Sequence, residues 1–252
     1  MAHLRTPLQG VTNIVRFNWH FYVLSVVGVT LGLWFAHWLG SYWWHLGVLV
    51  ACGAMATTIT SLIVSWYVYD YSELYSFNWS PAFTGSKTMV NIHAGFDETS
   101  TLLAGKYPEA KLHVFDFYDP ELHTEVSIKR ARKAYGPYPG TEEITTKDLP
   151  LAEHSVDVVW LILAAHEIRS EVERAAFFRQ LRSALRENGR VVVVEHLRDW
   201  PNFLAYSIGF FHFLPASAWR TTFANGGFSV AHQQKITPFI TVFTLSPHVA
   251  TP

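Results

Sequence analysis

The sequence predicts an α/β domain built on a doubly wound, mostly parallel sheet, preceded by a two-helix transmembrane hairpin. Three observations predict it. From Phe17 to Tyr69 there is no Asp, Glu, Lys or Arg, and the stretch holds two runs near the ~20 apolar residues that cross ~30 Å of hydrocarbon. Lys87 to Pro120 reads as strand, tight loop, helix and strand, with an acid at the end of the second strand. Val156 to Leu163 is almost unbroken apolar sequence, as a central parallel strand covered on both faces should be.

Length allows one domain of ordinary size plus an appendage. The formal net charge of −1 favours no nucleic-acid partner, and there is neither a zinc-finger spacing nor an arginine-rich tail. The single cysteine, Cys52, excludes an internal disulfide framework and a tetrathiolate metal site; it agrees with a reducing compartment. Seven of the ten tryptophans precede residue 80, which marks the front of the chain as a different kind of segment. The organisation expected is a lead over 1–16, two membrane helices within 17–69, a linker over 70–86 and a globular domain over 87–252.

In the membrane segment the two runs are about Phe21 to Leu39 and about Leu46 to Val68. Trp19, Trp34, Trp38, Trp43, Trp44 and Trp66 crowd their ends, as interfacial aromatics do. Gly28, Gly32, Gly47, Gly53 and Ala54 are small enough to let two helices approach closely. A buried soluble hairpin is the alternative, but a soluble hairpin of this length carries charges on one face. A cleaved signal peptide fits poorly, because the first run is too long and a second follows at once. Arg5 and Arg16 bias the amino terminus to the cytoplasm, and two crossings return the chain there, so the globular part is expected on the cytoplasmic side. Tyr71, Tyr75, Phe77 and Trp79 in the linker either cover a ligand or lie at the bilayer surface.

In the globular part, Thr88 to Ile92 is the first strand, and it stops at His93-Ala94-Gly95, where a glycine lets the backbone turn without a Cβ clash. Asp97 to Lys106 has helix chemistry, with an N-cap expected at Asp97 and Leu102, Leu103 and Ala104 inward. Lys111 to Phe115 is the second strand and Asp116 sits at its carboxyl end, where the ligand of a doubly wound sheet binds. The acid follows the glycine turn at roughly the spacing of a carboxylate that binds two ribose hydroxyls. A helix is expected over about Glu121 to Ala134, then strands within Glu142–Leu151 and Ser155–Ala164. Glu171 to Glu187 is an amphipathic helix with Val172, Ala175, Phe178, Leu181 and Leu185 inward and Arg174, Arg179, Arg182 and Arg186 outward. Arg190 to Val194 is the next strand, ending at Glu195-His196. Trp200 to Pro215 carries no charge, is too interrupted to span, and reads as a helix on the sheet edge that dips toward the membrane interface. A helix from Ala216 and a hairpin, Phe228–Gln233 with Phe239–Leu245, close the chain.

These motifs resemble the class I S-adenosylmethionine-dependent methyltransferases. Their pattern after the first strand is acid-x-Gly-x-Gly-x-Gly; here it falls on Asn91, His93, Gly95 and Asp97, so only Gly95 keeps a glycine. The run Asp148-Leu149-Pro150-Leu151 with Ser155 to Val159, and the stretch from Phe177 to His196, resemble the family's later elements, and the closing hairpin would make the last strand antiparallel. The resemblance covers about Lys87 to Pro247. It implies S-adenosylmethionine as cofactor, with Asn91, His93, Gly95, Asp97, Asp116 and the adjoining Phe117 around it. The family's adenine-contacting acid falls on Thr145, so Thr146 or Asp148 would substitute.

The carboxyl ends of parallel strands gather His93, Asp116, His166-Glu167 and Glu195-His196 at one edge. His166 and His196 are the candidate general bases, since imidazole titrates near working pH, with Glu195 beside them; His212 and Asp199 are outer candidates. The same set could hold a divalent metal, although no helical two-His spacing or cysteine pair supports one, and none is assigned. Asp97 near the helix start suits a sulfonium or ammonium better than a pyrophosphate. The reading is methyl transfer to a lipophilic, membrane-resident small molecule of quinone, phenolic-lipid, polyketide or isoprenoid type, since a tethered site meets bilayer lipids at high effective concentration. The alternatives are a non-catalytic membrane adaptor with a degenerate domain and a different donor- or metal-dependent reaction.

Overall fold

The computed structural model describes residues 5–83 and 85–248. Two long helices lead the chain, α1 (Gln9–Leu39) and α2 (Ser41–Trp66), joined through Gly40 alone. Both are long and apolar enough to cross a membrane, and the apolar window of each is almost wholly uncovered by the rest of the protein. That separates them from the core helices of a soluble fold, which bury an apolar stripe. Helix α1 begins earlier than hydropathy suggests, at Gln9, because this first part packs on the globular domain. Asp70 caps it from sixty residues away, its two carboxylate oxygens accepting from the Gly10 and Val11 N–H groups at 2.6 and 2.8 Å. Those are orphan donors of a helix N-terminus, where a carboxylate is also favoured by the helix dipole. Asn18 leaves helical geometry and kinks α1 between its docked and exposed parts.

Of the small residues expected to bring the two helices together, Gly47 does so: a Cβ there would come 3.1 Å from Ala36 Cβ. Gly28, Gly32 and Gly53 have nothing near them, so they do not form the seam.

After a π-helical turn (Tyr67–Tyr71) and the linker come β1 (Thr88–His93), α3 (Ser100–Lys106), β2 (Lys111–Asp116), α4 (Val126–Ala134), β3 (Glu142–Glu143) and β4 (Val156–Ile162). The chain continues through α5 (Glu171–Ala184), β5 (Leu185–His196), α6 (Trp200–Tyr206), a 3-10 segment (Ser207–His212), α7 (Ala216–Asn225), β6 (Phe228–Thr237) and β7 (Ile240–Pro247). One seven-stranded sheet results, in the order β3-β2-β1-β4-β5-β7-β6. The first five strands are parallel and β7 runs antiparallel to both β5 and β6. This is the expected Rossmann-like sheet with an antiparallel closing hairpin.

Several boundaries differ. The third strand shrinks to Glu142–Glu143, because the polar run beyond it turns back on itself through a Thr145–Asp148 bridge. Helix α3 starts at Ser100 with Thr99, not Asp97, at the N-cap position, because Asp97 closes an Asx turn before the helix: its Oδ1 accepts from the Thr99 and Ser100 N–H groups, both at 2.9 Å. On α5, Ala175, Phe178 and Leu181 are buried as the periodicity requires, but Val172 lies beyond the sheet and is exposed. Arg174 turns inward instead. Its guanidinium reaches Thr222 Oγ1 at 3.0 Å and the Ile168 carbonyl at 2.7 Å, and lies over the Trp219 ring, so a buried charge is satisfied by hydrogen bonds and an aromatic face.

The two sheet faces have separate cores. One is covered by α5 and α7, with Val159, Leu161, Val191 and Val193 under Phe177, Phe178 and Trp219. The other holds Met89, Val158, Trp160, Val192 and Val194, and much of its cover is the linker: Leu74, Phe77, Trp79 and Phe83. Phe77, Trp79 and Phe83 surround the Trp160 ring with centroids 5.5 to 6.4 Å away, and each fully buried ring is worth ~1.5–3 kcal/mol. The linker is therefore part of the second layer of the domain.

Candidate active site

The carboxyl ends of β1, β2, β4 and β5 bring His93, Asp116, His166, Glu167, Glu195 and His196 to one edge, because parallel strands all point their carboxyl ends the same way. Beyond that edge lies a cavity of about 300 Å³. Its floor is His93, Ile162, Leu163, His166 and His196, and its sides include Tyr69, Tyr75 and Ile128. The roof is α1 itself: Gly10, Asn13, Ile14, Phe17 and Asn18. Arg130 locks this roof to α4 by donating to the Phe17 carbonyl at 2.6 Å, and Tyr135 Oη donates to Asn13 Oδ1 at 2.9 Å. Arg5 pairs with Glu98 at 2.7 Å on the far side.

His196 ends β5, buried between neutral groups. Asn202 fixes its tautomer. The Asn202 amide donates to Asp199 Oδ1 and the Phe239 carbonyl, which leaves Asn202 Oδ1 facing His196 Nδ1 at 2.9 Å. Nδ1 must therefore carry the hydrogen, and Nε2 is a free acceptor, 2.8 Å from the Tyr69 hydroxyl. Burial pushes the imidazole down to about 4, only partly offset by the Asn202 bond, with the charge on His166 pushing the same way. His196 is thus neutral at working pH and able to take a proton through Nε2.

His166 follows β4 after Leu163, a non-glycine residue at φ +52°; such backbone is sparsely populated and is held by its surroundings. Its Nδ1 donates to Glu195 Oε2 at 2.7 Å, and its backbone N–H reaches Glu195 Oε1 at 3.2 Å. Its Nε2 lies 3.3 Å from Glu167 Oε1. Burial alone would lower this imidazole, but the Glu195 and Glu167 carboxylates win and hold it up at about 10. For Glu167, burial is likewise overcome by His166 and His212, so its carboxyl stays far below the usual range. His166 is a charge-holding residue here, whereas both candidate histidines carry acceptor roles in a reading of the sequence alone. His212 arrives from the 3-10 segment, with Nε2 3.3 Å from Glu167 Oε1 and its ring 5.1 Å from that of His166.

At the other end of the edge, His93 and Asp116 are register partners on β1 and β2, 3.6 Å apart. Asp116 accepts from the Tyr118 N–H at 2.9 Å and is paired with Arg132. Gly95 has φ +93°, and a Cβ there would come 2.8 Å from the Tyr118 ring, so this glycine is required by conformation and by contact. Asn91 is buried and donates to Thr99 and Ser100 hydroxyls at 2.9 and 2.8 Å; it braces the loop from below. His93 is buried with both ring nitrogens unpartnered, and burial lowers its pKa. Asp97 Oδ2 and Asn13 Nδ2 are buried orphans as well. Buried polar atoms are nearly always paired, and these four unpaired ones lie at the end of β1, in the loop after it and on α1. Phe117, Thr146 and Asp148 line a second, separate cavity with Tyr118 in its wall, and the Thr146 hydroxyl is bonded to Glu173. Tyr69, Tyr75 and α1 lie outside the motif-bearing region, and only the topology connects them with the site.

Residues 95–193 match the family model described as a methyltransferase domain. No curated protein matches by sequence. Among solved structures, the chain is similar to the pyocyanin biosynthetic protein PhzM, with TM-score 0.52 and 15% identity over 81% of this chain and 58% of that one. It is also similar to PigF, solved with SAH, with TM-score 0.49 and 18% identity over 69% of this chain and 61% of that one. The chain thus spans less than two thirds of the length of either. The PhzM likeness concerns the fold, and the family model covers the segment from the loop after β1 into β5.

Proposed function

We propose, from the premise that this chain carries a class I methyltransferase domain, that it transfers a methyl group from S-adenosylmethionine to a hydroxyl of a lipophilic acceptor drawn from the bilayer. A quinone precursor, phenolic lipid, polyketide or isoprenoid is the acceptor class. The observation that carries this reading is the roof of the cavity: the helix that continues into the apolar span is the one that walls the site with Asn13, Ile14 and Phe17. An acceptor with a polar head and an apolar tail can lie along α1 with its head below. The docked start of α1 and the short connection to α2 bring the amino terminus and the domain to one side of the membrane. With Arg5 and Arg16 near that end, the side is cytoplasmic.

The residues present fit the donor. The orphan Asp97 Oδ2 supplies an anionic partner for a cationic ligand, and Asp116 supplies the carboxylate for ribose hydroxyls once Arg132, which is partly exposed, moves aside. Asn91, His93 and Gly95 shape the loop between them, and Phe117, Thr146 and Asp148 offer the adenine side. When bound, the donor supplies an activated methyl group on sulfonium sulfur, so the protein needs only to align the acceptor and keep water out. The Tyr69–His196 pair handles the proton: the acceptor hydroxyl gives its hydrogen to Tyr69 Oη as the tyrosine hydrogen moves to His196 Nε2. Tyr75 and Phe17 help to exclude water.

Titration of the full chain with S-adenosylmethionine and with NADH tests the donor. Binding of the former that is lost in Asp116→Ala and kept in His196→Ala supports the reading. Comparison of lipid extracts from cells with and without the protein tests the acceptor, the expected product being heavier by one CH₂. A second reading, a non-catalytic membrane adaptor, is favoured by the Tyr118 ring seated on Gly95 and by the Arg132–Asp116 pair. Absence of binding of either nucleotide at millimolar concentration would select it.

A further inference from the structure

We infer that His166, Glu167 and His212 form a three-ligand site for a divalent cation of the zinc class, with its fourth position open to the cavity. In the metal-free chain a proton on His166 Nε2 faces Glu167; the ion replaces that proton, which leaves to solvent as the metal binds. The first observation is spacing. Glu167 Oε1 lies 3.3 Å from His166 Nε2 and 3.3 Å from His212 Nε2, and all three donor atoms lie within 4.8 Å of one another. Ligands ~2.1 Å from a tetrahedral ion sit ~3.4 Å apart, so two of the three separations already match a bound geometry. Two histidines and a glutamate are a donor set that suits zinc with one position left for a further ligand.

The second observation is independent of the first: each imidazole has a carboxylate behind it. Glu195 Oε2 accepts from His166 Nδ1 at 2.7 Å, and Glu125 Oε1 lies 3.3 Å from His212 Nδ1. Histidine ligands donate their far N–H to such carboxylates, which fixes the tautomer and turns the other nitrogen to the metal. Glu195 is fully buried and bonds nothing but His166 among the described residues, so its orienting role explains a carboxylate that would otherwise be costly to bury. The competing group is Arg169, whose guanidinium rests 2.7 Å from the His212 ring nitrogens and 3.5 Å from Glu167. It comes from a half-exposed side chain and can swing out as the ion enters.

What the ion would do rests on the methyl-transfer reading. His166, Glu167 and His212 line the same cavity as the Tyr69–His196 pair. A cation there polarises the acceptor hydroxyl and lowers its pKa, and the released proton still passes to Tyr69 and His196. The ion would also hold a phenolic or enolic head at a fixed position.

The test uses the full chain in detergent, stripped with a chelator and titrated with zinc chloride alone, with bound metal counted by mass spectrometry. One zinc per chain is expected. Glu167→Gln and His212→Ala should each weaken binding by at least about tenfold, while His232→Ala, on the surface, should not. Arg169→Ala should bind zinc several-fold more tightly. Thermal melts establish that each variant is folded; Glu167→Gln keeps side-chain shape, so it reports even where His212→Ala does not fold. Failure to bind stoichiometric zinc, or equal retention by both ligand variants, overturns the site. Donor titration on the same samples separates the two proposals: zinc bound without any nucleotide leaves the site and removes methyl transfer, and nucleotide bound without zinc does the reverse.

Discussion

The ends of β4 and β5 lie side by side on one sheet edge, and each carries a buried histidine, yet the two imidazoles are in opposite states. His166, with Glu195 and Glu167 against it, is held up at about 10. His196, with Asn202, Tyr69 and the stacked Phe213 ring around it, is pushed down to about 4 by burial. The same side chain becomes a place for positive charge in one position and a proton acceptor in the other. Neighbours within hydrogen-bond reach decide this, since desolvation acts on both in the same direction.

The largest expected effect comes from removing the acceptor. His196→Gln should cut kcat by about 10²–10⁴ with donor affinity unchanged, measured in single-turnover assays. A loss shared equally by the affinity would show that His196 shapes the donor site. Next comes Glu195→Gln, which leaves the charged His166 without its closest buried partner; a loss of about 3 kcal/mol of stability is expected in denaturant titration. His166 should then titrate closer to the ordinary imidazole range by NMR. The chelated protein sharpens the comparison through pH. His166 has a raised folded pKa, so its stabilisation is complete below about 6.5, the unfolded value, and is lost as pH climbs through about 10. His196 has a depressed folded pKa, so stability rises between about 4 and about 6.5. The two slopes oppose, and melts across pH should peak near about 6.5; a profile that rises steadily to pH 9 contradicts the charged His166. Tyr69→Phe removes the hydroxyl but keeps the ring, and should slow turnover by about tenfold, or ~1.4 kcal/mol. The smallest effect is Arg132→Ala, which frees Asp116 and should tighten donor binding by up to about fivefold, the worth of a partly exposed ion pair.

The end of the edge that carries Asp116 and Gly95 was the more legible part. Asp116 stands at the end of β2 because a run of alternating and continuous apolar residues stops there, and Gly95 is required by a positive φ that only its missing Cβ tolerates easily. Asp97 reads as the N-cap in the sequence, but the N-cap is Thr99 and the helix starts at Ser100; Asp97 instead holds the turn before it, accepting from the Thr99 and Ser100 N–H groups. The end that carries His166 and His196 was legible only as a list of histidines. Their roles depend on Asn202, Tyr69, Glu195 and His212, which come from separate segments and carry no common spacing in sequence. Arg174 and Val172 exchanged faces relative to the helical pattern for a similar reason: the pattern sees period and polarity, and cannot see Thr222 and Trp219 waiting on α7.

The apolar hairpin divides in the same way. Its length, its lack of charge and its tryptophans follow from the local sequence, because hydropathy is a property of each residue by itself. That its start is capped by Asp70 and roofs the cavity follows from contacts across about sixty residues. Local chemistry alone determined the sheet, the apolar hairpin and the position of Asp116 at the sheet edge, since periodicity and turn residues act over a few neighbours. Which histidine is charged, which accepts a proton and what closes the cavity were decided only by tertiary structure, because electrostatic state depends on groups that meet in space after distant strands and helices have packed.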